Sequence, residues 1–403
     1  MHSNPPRWRT LPLLLLLLAS GVSADEADAF NIFGGSTVVF DDNIFRLAPG
    51  TSAKAVFGTD QRSDVIRTSF VGGSFDKLIG RQRLKLDMTL NSVNFSRFSQ
   101  LNNTGGNISG AVNWQLTDDL TGTVGKSRNR SMPGYRDQRT LVKNILSVDN
   151  EYLNADLRLQ PSWHLEAMTS QVASSYSAEA NKISNNTVDS YTLGVRYTPA
   201  SGNYIRLKNT WSTGQYPNQQ FVSGALVDNG FSQTDAALEM LWVPSGASRL
   251  NGLLAHTERT HQNVPQRNFS GWTGNASWAW SLTGKLTMVS SFRREIGAQN
   301  ELLSSYALTD AYNLASIWTP STKTSVRLSY ERATRNFLGD PVAVLSFLTK
   351  RSDKIETFSL TASYQPFRNL NLSLSAIQEK RESNYANLNY DDNILMGSAQ
   401  YTF

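Results

Sequence analysis

The 403-residue chain contains no cysteine. That absence excludes a disulfide framework, a thiolate metal site and the lipid-bearing cysteine of an outer-membrane lipoprotein. Charge is sparse as well: only 18% of residues are Asp, Glu, Lys or Arg, and the Glu-, Lys- and Ala-rich make-up of helical proteins is missing. Histidine is rare, with four in all. Beyond Ala24 no apolar run approaches the roughly 18 residues that a membrane-spanning helix requires. Once Arg7 and Arg9 are set aside with the amino-terminal segment, 36 basic residues face 33 acidic ones. Such a balance gives no footprint for nucleic acid.

The first residues read as a targeting segment. Arg7 and Arg9 precede an apolar run over 11–19, with leucine at every position from 13 to 18, and Val22-Ser23-Ala24 supplies small residues for cleavage. This is the layout of a secretory signal peptide, too short in its apolar part to anchor the chain. The expectation is removal after Ala24, with residues 25–403 forming one domain outside the cytoplasm.

The remainder of the chain alternates with a period of two. Leu84, Leu86, Met88 and Leu90 interleave with Arg83, Lys85, Asp87 and Thr89; Leu370, Leu372, Leu374 and Ala376 interleave with Asn371, Ser373 and Ser375. Phe358 to Tyr364 and Val326 to Tyr330 repeat the pattern. A period of two places successive side chains on opposite faces of a strand. Short turns such as Gln160-Pro161-Ser162, Pro244-Ser245-Gly246 and Pro320-Ser321-Thr322 punctuate these runs, and longer polar stretches lie between them at 41–62, 131–143, 215–230 and 336–351. Tight turns alternating with long loops are the signature of an all-β, transmembrane antiparallel β-barrel of the outer membrane. About 18 strands (16–18) can be counted, from 30–40 to 390–403. An even number leaves both ends on the periplasmic side. A soluble sandwich of this length would need linkers between domains, and a β-helix would need short regular repeats; the sequence has neither.

Aromatic residues gather beside the short turns, at Trp163, Tyr197, Trp242, Trp280, Trp318, Tyr364 and Phe367, where an interfacial girdle belongs. The last strand ends with Leu395, Gly397, Ala399, Tyr401 and Phe403 on one face; Tyr401 and the terminal Phe403 look like the signal read by the outer-membrane insertion machinery. Outer-membrane lipids and lipopolysaccharide are the expected surroundings.

Several segments together resemble the EpsL-type outer-membrane proteins of exopolysaccharide operons: Asp41-Asp42-Asn43-Ile44-Phe45-Arg46, Arg62-Ser63-Asp64-Val65-Ile66-Arg67-Thr68, Gly80-Arg81-Gln82-Arg83, Pro161-Ser162-Trp163-His164, Tyr216-Pro217-Asn218-Gln219-Gln220-Phe221 and Phe269-Ser270-Gly271-Trp272-Thr273-Gly274. The resemblance runs from about residue 30 to 403. It implies a porin that exports a polysaccharide substrate with the help of separate periplasmic polysaccharide-export proteins, and it assigns no catalytic residue. A general or sugar-selective uptake porin, or a sealed structural barrel, shares every physical feature above.

Enzymatic chemistry finds little footing. A barrel hydrolase needs a serine beside an oriented histidine. His164 lies at a periplasmic turn, and His256 and His261 read as solvated loop residues near Glu258. No phosphate-binding glycine loop or histidine metal motif occurs, so no cofactor is implied. One acidic pattern recurs: Asp41-Asp42-Asn43-Ile44 and Asp391-Asp392-Asn393-Ile394. On a closed barrel both fall at the outer rim of the first and last strands. Four carboxylates there suit Ca²⁺ or Mg²⁺, but the plainer expectation is that they end strands and solvate the rim.

Transport chemistry belongs to the lumen. Turning the polar row of each clean strand inward gives Arg67, Arg83, Lys85, Arg158, Arg196, Arg206, Lys208, Arg293 and Arg327, with Asp87, Asp156, Asp235, Glu239, Glu295 and Glu331 among them. This mixed lining leans positive, and charged rings of this kind set ionic selectivity. Facing charges inside a barrel also pair simply to hold the wall.

Overall fold

The computed structural model describes residues 29–136, 141–222, 225–263, 265–301, 304–338 and 350–403. The expected signal peptide and the Ala24 cleavage site lie outside the described residues. The strands are β1 Phe30–Asp41, β2 Asp64–Ile79, β3 Gln82–Phe95, β4 Asn103–Gln115, β5 Leu120–Ser131, β6 Leu146–Gln160, β7 Trp163–Tyr176, β8 Asn186–Tyr197, β9 Tyr204–Gln215, β10 Gln220–Val222, β11 Ala225–Val227, β12 Phe231–Ser245, β13 Ser248–Thr260, β14 Phe269–Thr283, β15 Leu286–Glu301, β16 Ser304–Ser321, β17 Thr324–Leu338, β18 Ser352–Phe367, β19 Leu370–Ser383 and β20 Tyr390–Thr402. The short β10 and β11 pair only with each other, inside the connection between β9 and β12. The other eighteen form one antiparallel sheet, each strand beside its neighbours in the chain. The sheet closes where β1 pairs with β20, from Phe33 opposite Thr402 to Asp41 opposite Ile394. Closure removes both sheet edges, which a spanning sheet cannot leave exposed in lipid.

Residues opposite each other across a ladder share a face, so the register sorts every strand into an outer and an inner row. Leu207, Leu193 and Tyr191 lie on the row that leaves large apolar groups exposed, as do Leu314, Trp318, Leu360 and Leu374. This is the lipid face. The girdle residues Trp163, Tyr197, Trp242, Trp280, Trp318, Tyr364 and Phe367 are all exposed. Moving up from the periplasmic end, the outer row turns charged after a constant step of eight residues: Trp318 to Asp310, Tyr364 to Glu356, Leu372 to Lys380. At about 3.3 Å per residue and a tilt near 40°, that step rises roughly 20 Å, close to the apolar height of an outer-membrane barrel. Ion pairs line the level above it, including Arg294–Asp310 (3.1 Å), Lys354–Glu356 (3.2 Å), Lys380–Glu382 (2.9 Å) and Arg128–Asp149 (2.6 Å).

The tight turns obey local chemistry. Gly80 adopts φ 62° in the turn between β2 and β3, a conformation that costs glycine nothing. At Pro244, Pro320 and Pro366 the ladder shifts register just before the turn; proline offers no N–H to the ladder, and a bulge absorbs the loss.

The external connections are not all polar. The stretch between β1 and β2, read from sequence as a polar loop, carries the short helix α1 (Ala53–Phe57) and a buried apolar cluster. Ile44, Phe45, Leu47 and Ala53 pack against Phe95, Phe98 and Leu101, and against Tyr135 from the β5–β6 connection. The Phe45 ring lies 4.4 Å from Phe57 and 4.8 Å from both Phe98 and Tyr135. Ile66 and Val93 on the inner rows of β2 and β3 join the cluster. The loop is thereby folded against the inside of the barrel mouth.

Candidate functional site

The inner rows carry a continuous chain of ion pairs across β6 to β12. Asp156 meets His164 Nδ1 at 2.6 Å and also holds Arg196. Arg196 reaches Glu166 at 3.2 Å, and Glu166 holds Arg206 at 2.6 Å. Arg206 continues to Glu239 at 3.0 Å, where Lys208 (2.8 Å) and the Tyr204 hydroxyl (2.8 Å) also bind. Each charge has an opposite neighbour on the adjoining strand, so the ladder stiffens the wall and is close to neutral. Arg158 pairs with Asp119 (2.6 Å), Arg83 with Asp76 (2.6 Å), and Arg293 with Glu331 (3.0 Å) and Glu295 (3.4 Å). Among the candidates read from sequence, Arg83, Asp156, Arg158, Arg196, Arg206, Lys208, Glu239, Arg293, Glu295 and Glu331 are thus brought into pairs.

Others stand apart. Lys85 and Asp87 on β3 and Arg327 on β17 occupy the inner rows, and no ion pair within 4 Å engages them among the described residues, although Lys85 stands directly opposite Asp76. Asp235 accepts hydrogen bonds from the Thr257 hydroxyl (2.5 Å) and Gln233 (2.7 Å). Arg67 corrects the sequence reading. It faces outward, opposite Val38 and Asn94, on the row of exposed Val65 and Val71. The inner position at that height belongs to Ile66, drawn into the apolar cluster of the mouth, so the guanidinium is left for the headgroup level.

Several residues escaped the sequence reading. Glu166 shares the row of His164, opposite exposed Trp163 and Leu165, and that alternation was there to be read. Arg249 lies on the inner row of β13, opposite Ala279, again without an ion pair among the described residues. Arg259 lies on the same row near the outer end, opposite Gln233 and Phe269. Strand β13 alternates poorly through Leu253-Leu254-Ala255, which hid both. Of the two histidines expected to be solvated, His256 packs edge-on against Trp272 on the outer face, whereas His261 is buried.

At the mouth, the β5–β6 connection reaches across to the far wall. Arg136 pairs with Glu379 on β19, Arg381 Nη1 donates to the Arg136 carbonyl (2.8 Å), and the Tyr390 hydroxyl donates to Glu379. The Arg381 guanidinium lies 4.7 Å above the Tyr390 ring and also donates to the Leu388 carbonyl (2.6 Å). Beside it, at the closure seam, Arg46 bridges Asp41 (2.9 Å) and fully buried Asp392 (2.9 Å). Burial works against the Arg46 charge, yet Asp41 and Asp392 outweigh it and hold its pKa above the ordinary value. The carboxylates of Asp41, Asp42 and Asp392 converge within 4.8 Å, but the guanidinium already stands between Asp41 and Asp392. Asp42 is occupied by Asn393, whose backbone N–H and side-chain amide both donate to it at 2.8 Å. Asp391 departs from the expected group of four: it faces outward, opposite Lys380.

No family model matches the sequence, and no curated protein matches it. Solved structures do. OpdK of Pseudomonas aeruginosa, solved with vanillate, is 10% identical with a TM-score of 0.51, over 93% of this chain and 99% of that one. A BenF-like porin from Pseudomonas fluorescens Pf-5 is 11% identical at 0.51, over 94% and 99%. OccK9 (OpdG) of Pseudomonas aeruginosa is 10% identical at 0.53, over 93% and 98%. Identities this low establish likeness of fold. Closure, lipid face and likeness together make this chain an eighteen-stranded β-barrel of the Gram-negative outer membrane, of the architecture seen in porins.

Proposed function

We propose that the barrel is a substrate-selective uptake channel for small organic anions. The observation that carries this reading is the contrast on the inner wall: most charges there are cancelled by a neighbour, while Arg249 and Arg327 are not. Only uncompensated charge projects a field into the lumen, and rings of such charge select the ion that passes. Lys85 stands opposite Asp76, which Arg83 also engages, and Asp87 follows on the same row, so that stretch is close to neutral and the two arginines leave a net positive remainder. Arginine adds bidentate recognition of carboxylates. OpdK, similar in fold, was solved with vanillate, which favours carboxylates on small rings as the substrate class.

The resemblance to exopolysaccharide-operon proteins points instead to polymer export, and the similar solved structures lend that no support. The packed loop and the Arg136 contact inside the mouth also suit small solutes better than a chain of sugars. Uptake of small solutes requires no periplasmic export partner. We infer further that residues 1–24 are cleaved after Ala24 and that Tyr401 and Phe403 serve membrane insertion.

The test is the zero-current potential of the purified protein in a planar bilayer under a tenfold KCl gradient. The expected potential has the sign of chloride preference, and the R249Q/R327Q variant loses most of it. Cation preference in the native protein, or an unchanged potential in the variant, would sink the reading.

A further inference from the structure

Near the outer end of β13 the inner face carries a second cationic feature, distinct from the wall ladder. Arg259 stacks over Phe231 at 4.3 Å and donates through Nε to Gln233 (2.7 Å). Among the described residues no carboxylate lies within 4 Å of its two terminal nitrogens, and the nearby Asp235 is taken by Thr257 and Gln233. His261 is 7% exposed, packs 5.9 Å from Phe231, and has a ring nitrogen, Nδ1, without a hydrogen-bond partner. Arg267, buried in the connection to β14, donates to Asn229. Arg259 and Arg267 both lie close enough to act on the charge of His261 and of Tyr216. Tyr306, within reach of the Arg259 field, stands 6.1 Å from Phe269.

We propose that Arg259, backed by His261 and walled by Phe231, forms a carboxylate-binding site at the external end of the lumen. This rests on the uptake reading above and gives that channel a residue that captures substrate before the lumen proper. The chemistry fits at each point. A guanidinium held by one nitrogen keeps its other edge for a bidentate contact with a carboxylate. The neutral imidazole donates from Nδ1 in the corresponding tautomer. The Phe231 ring gives the site an apolar side that suits the body of an aromatic carboxylate and keeps water from the charge. The Arg259 position is also fixed in advance, by stacking and by Gln233, so little ordering is lost on binding.

Isothermal titration calorimetry of the folded full-length protein in detergent, with sodium benzoate as the probe, tests the site without any ion flow. The native protein is expected to bind, R259Q to bind at least tenfold more weakly, and R259K to fall between, since lysine keeps the charge and loses the fork. R332Q, altered on the outer face, is expected to match the native protein. Heat-modifiable migration checks folding, and R259K carries the test if R259Q fails to fold. Equal affinity in R259Q and the native protein, no binding by the native protein, or inorganic phosphate binding more tightly than benzoate each overturns the proposal. The zero-current potential remains an independent measure, so a failed site and a failed channel are told apart.

Discussion

Arg46 offers the sharpest perturbation of the barrel. It is the only cation in direct contact with Asp41 and Asp392 among the described residues, at 2.9 Å from each, and it donates to the Asn43 carbonyl at 2.9 Å. Truncation in R46A strands Asp392, fully buried, beside a second carboxylate. Breaking a buried pair by removing one partner costs about 3–5 kcal/mol when the group left behind stays charged; burial and the neighbouring Asp41 already push the Asp392 carboxyl up to about 8, so uptake of a proton there brings the cost toward the lower end of that range. Arg46 is also the one non-glycine residue with positive φ, at 55°, among the described residues, where a Cβ costs about 1–2 kcal/mol. R46G loses the same contacts but relieves that strain, so it is expected to be about 1 kcal/mol less damaging than R46A. D392N in the R46A background removes the orphaned charge and is expected to restore part of the loss. Urea unfolding in detergent micelles, followed by tryptophan fluorescence, measures all four proteins. A cost for R46A below about 1 kcal/mol, or R46G worse than R46A, refutes the assignment of Arg46 as the neutralising charge of the seam.

The strap across the mouth predicts a change in gating: R136Q removes its ion pair with Glu379, and each 1.4 kcal/mol of weakening shifts strapped against released mouths about tenfold, read as longer open dwell times in single-channel records. Dwell times unchanged from the native protein would exclude Arg136 as a latch. His261 carries a pH prediction. Burial, then Arg259 and Arg267, push its pKa down to about 4, so its ring should titrate near there by NMR and move toward 6.5 in R259Q. Between about 4 and 6.5 the unfolded chain binds the proton and the folded one does not. Stability therefore falls as pH drops through that window, by at most roughly 3 kcal/mol, and H261Q should flatten the slope; an equal slope in H261Q refutes the link.

The barrel was legible because its signal is repeated along the whole chain. Leu84 to Leu90 and Phe358 to Tyr364 each declare a period of two, and a lipid face requires every strand to do the same. What stayed hidden was decided by the mouth. Ile44, Phe45 and Leu47 sit in a stretch that reads as polar by average, and only the folded loop brings them to Phe98 and Tyr135. That cluster takes Ile66 inward and so sends Arg67 outward, against the rule that polar rows face the lumen. Pairing was equally invisible: the register decides that Arg206 meets Glu166 and Glu239 while Arg327 meets Ile317 and Thr361, and no local pattern in either strand distinguishes the two arginines. The seam repeat Asp-Asp-Asn-Ile was readable as a motif, but its cation turned out to be the guanidinium of Arg46, two residues beyond its first copy.

These distinctions bear on transport more than the count of charges does. An arginine that ends on a carboxylate contributes a dipole, and the field of a dipole decays within a few ångströms of the wall; an unpaired one contributes a net charge felt across the lumen. The ladder from His164 to Lys208 therefore fixes the shape of the wall, and on the proposed function the residues that sort ions are the few outside it. They fall at two heights. Arg259 lies at the external end of β13, while Arg249 and Arg327 lie near the periplasmic ends of β13 and β17. On the uptake proposed above, an anion entering from outside would pass Arg259 with its Phe231 wall first and the pair Arg249 and Arg327 second. Binding at the first would have to be strong enough to capture and weak enough to release, with the second pair offering the next favourable position along the lumen.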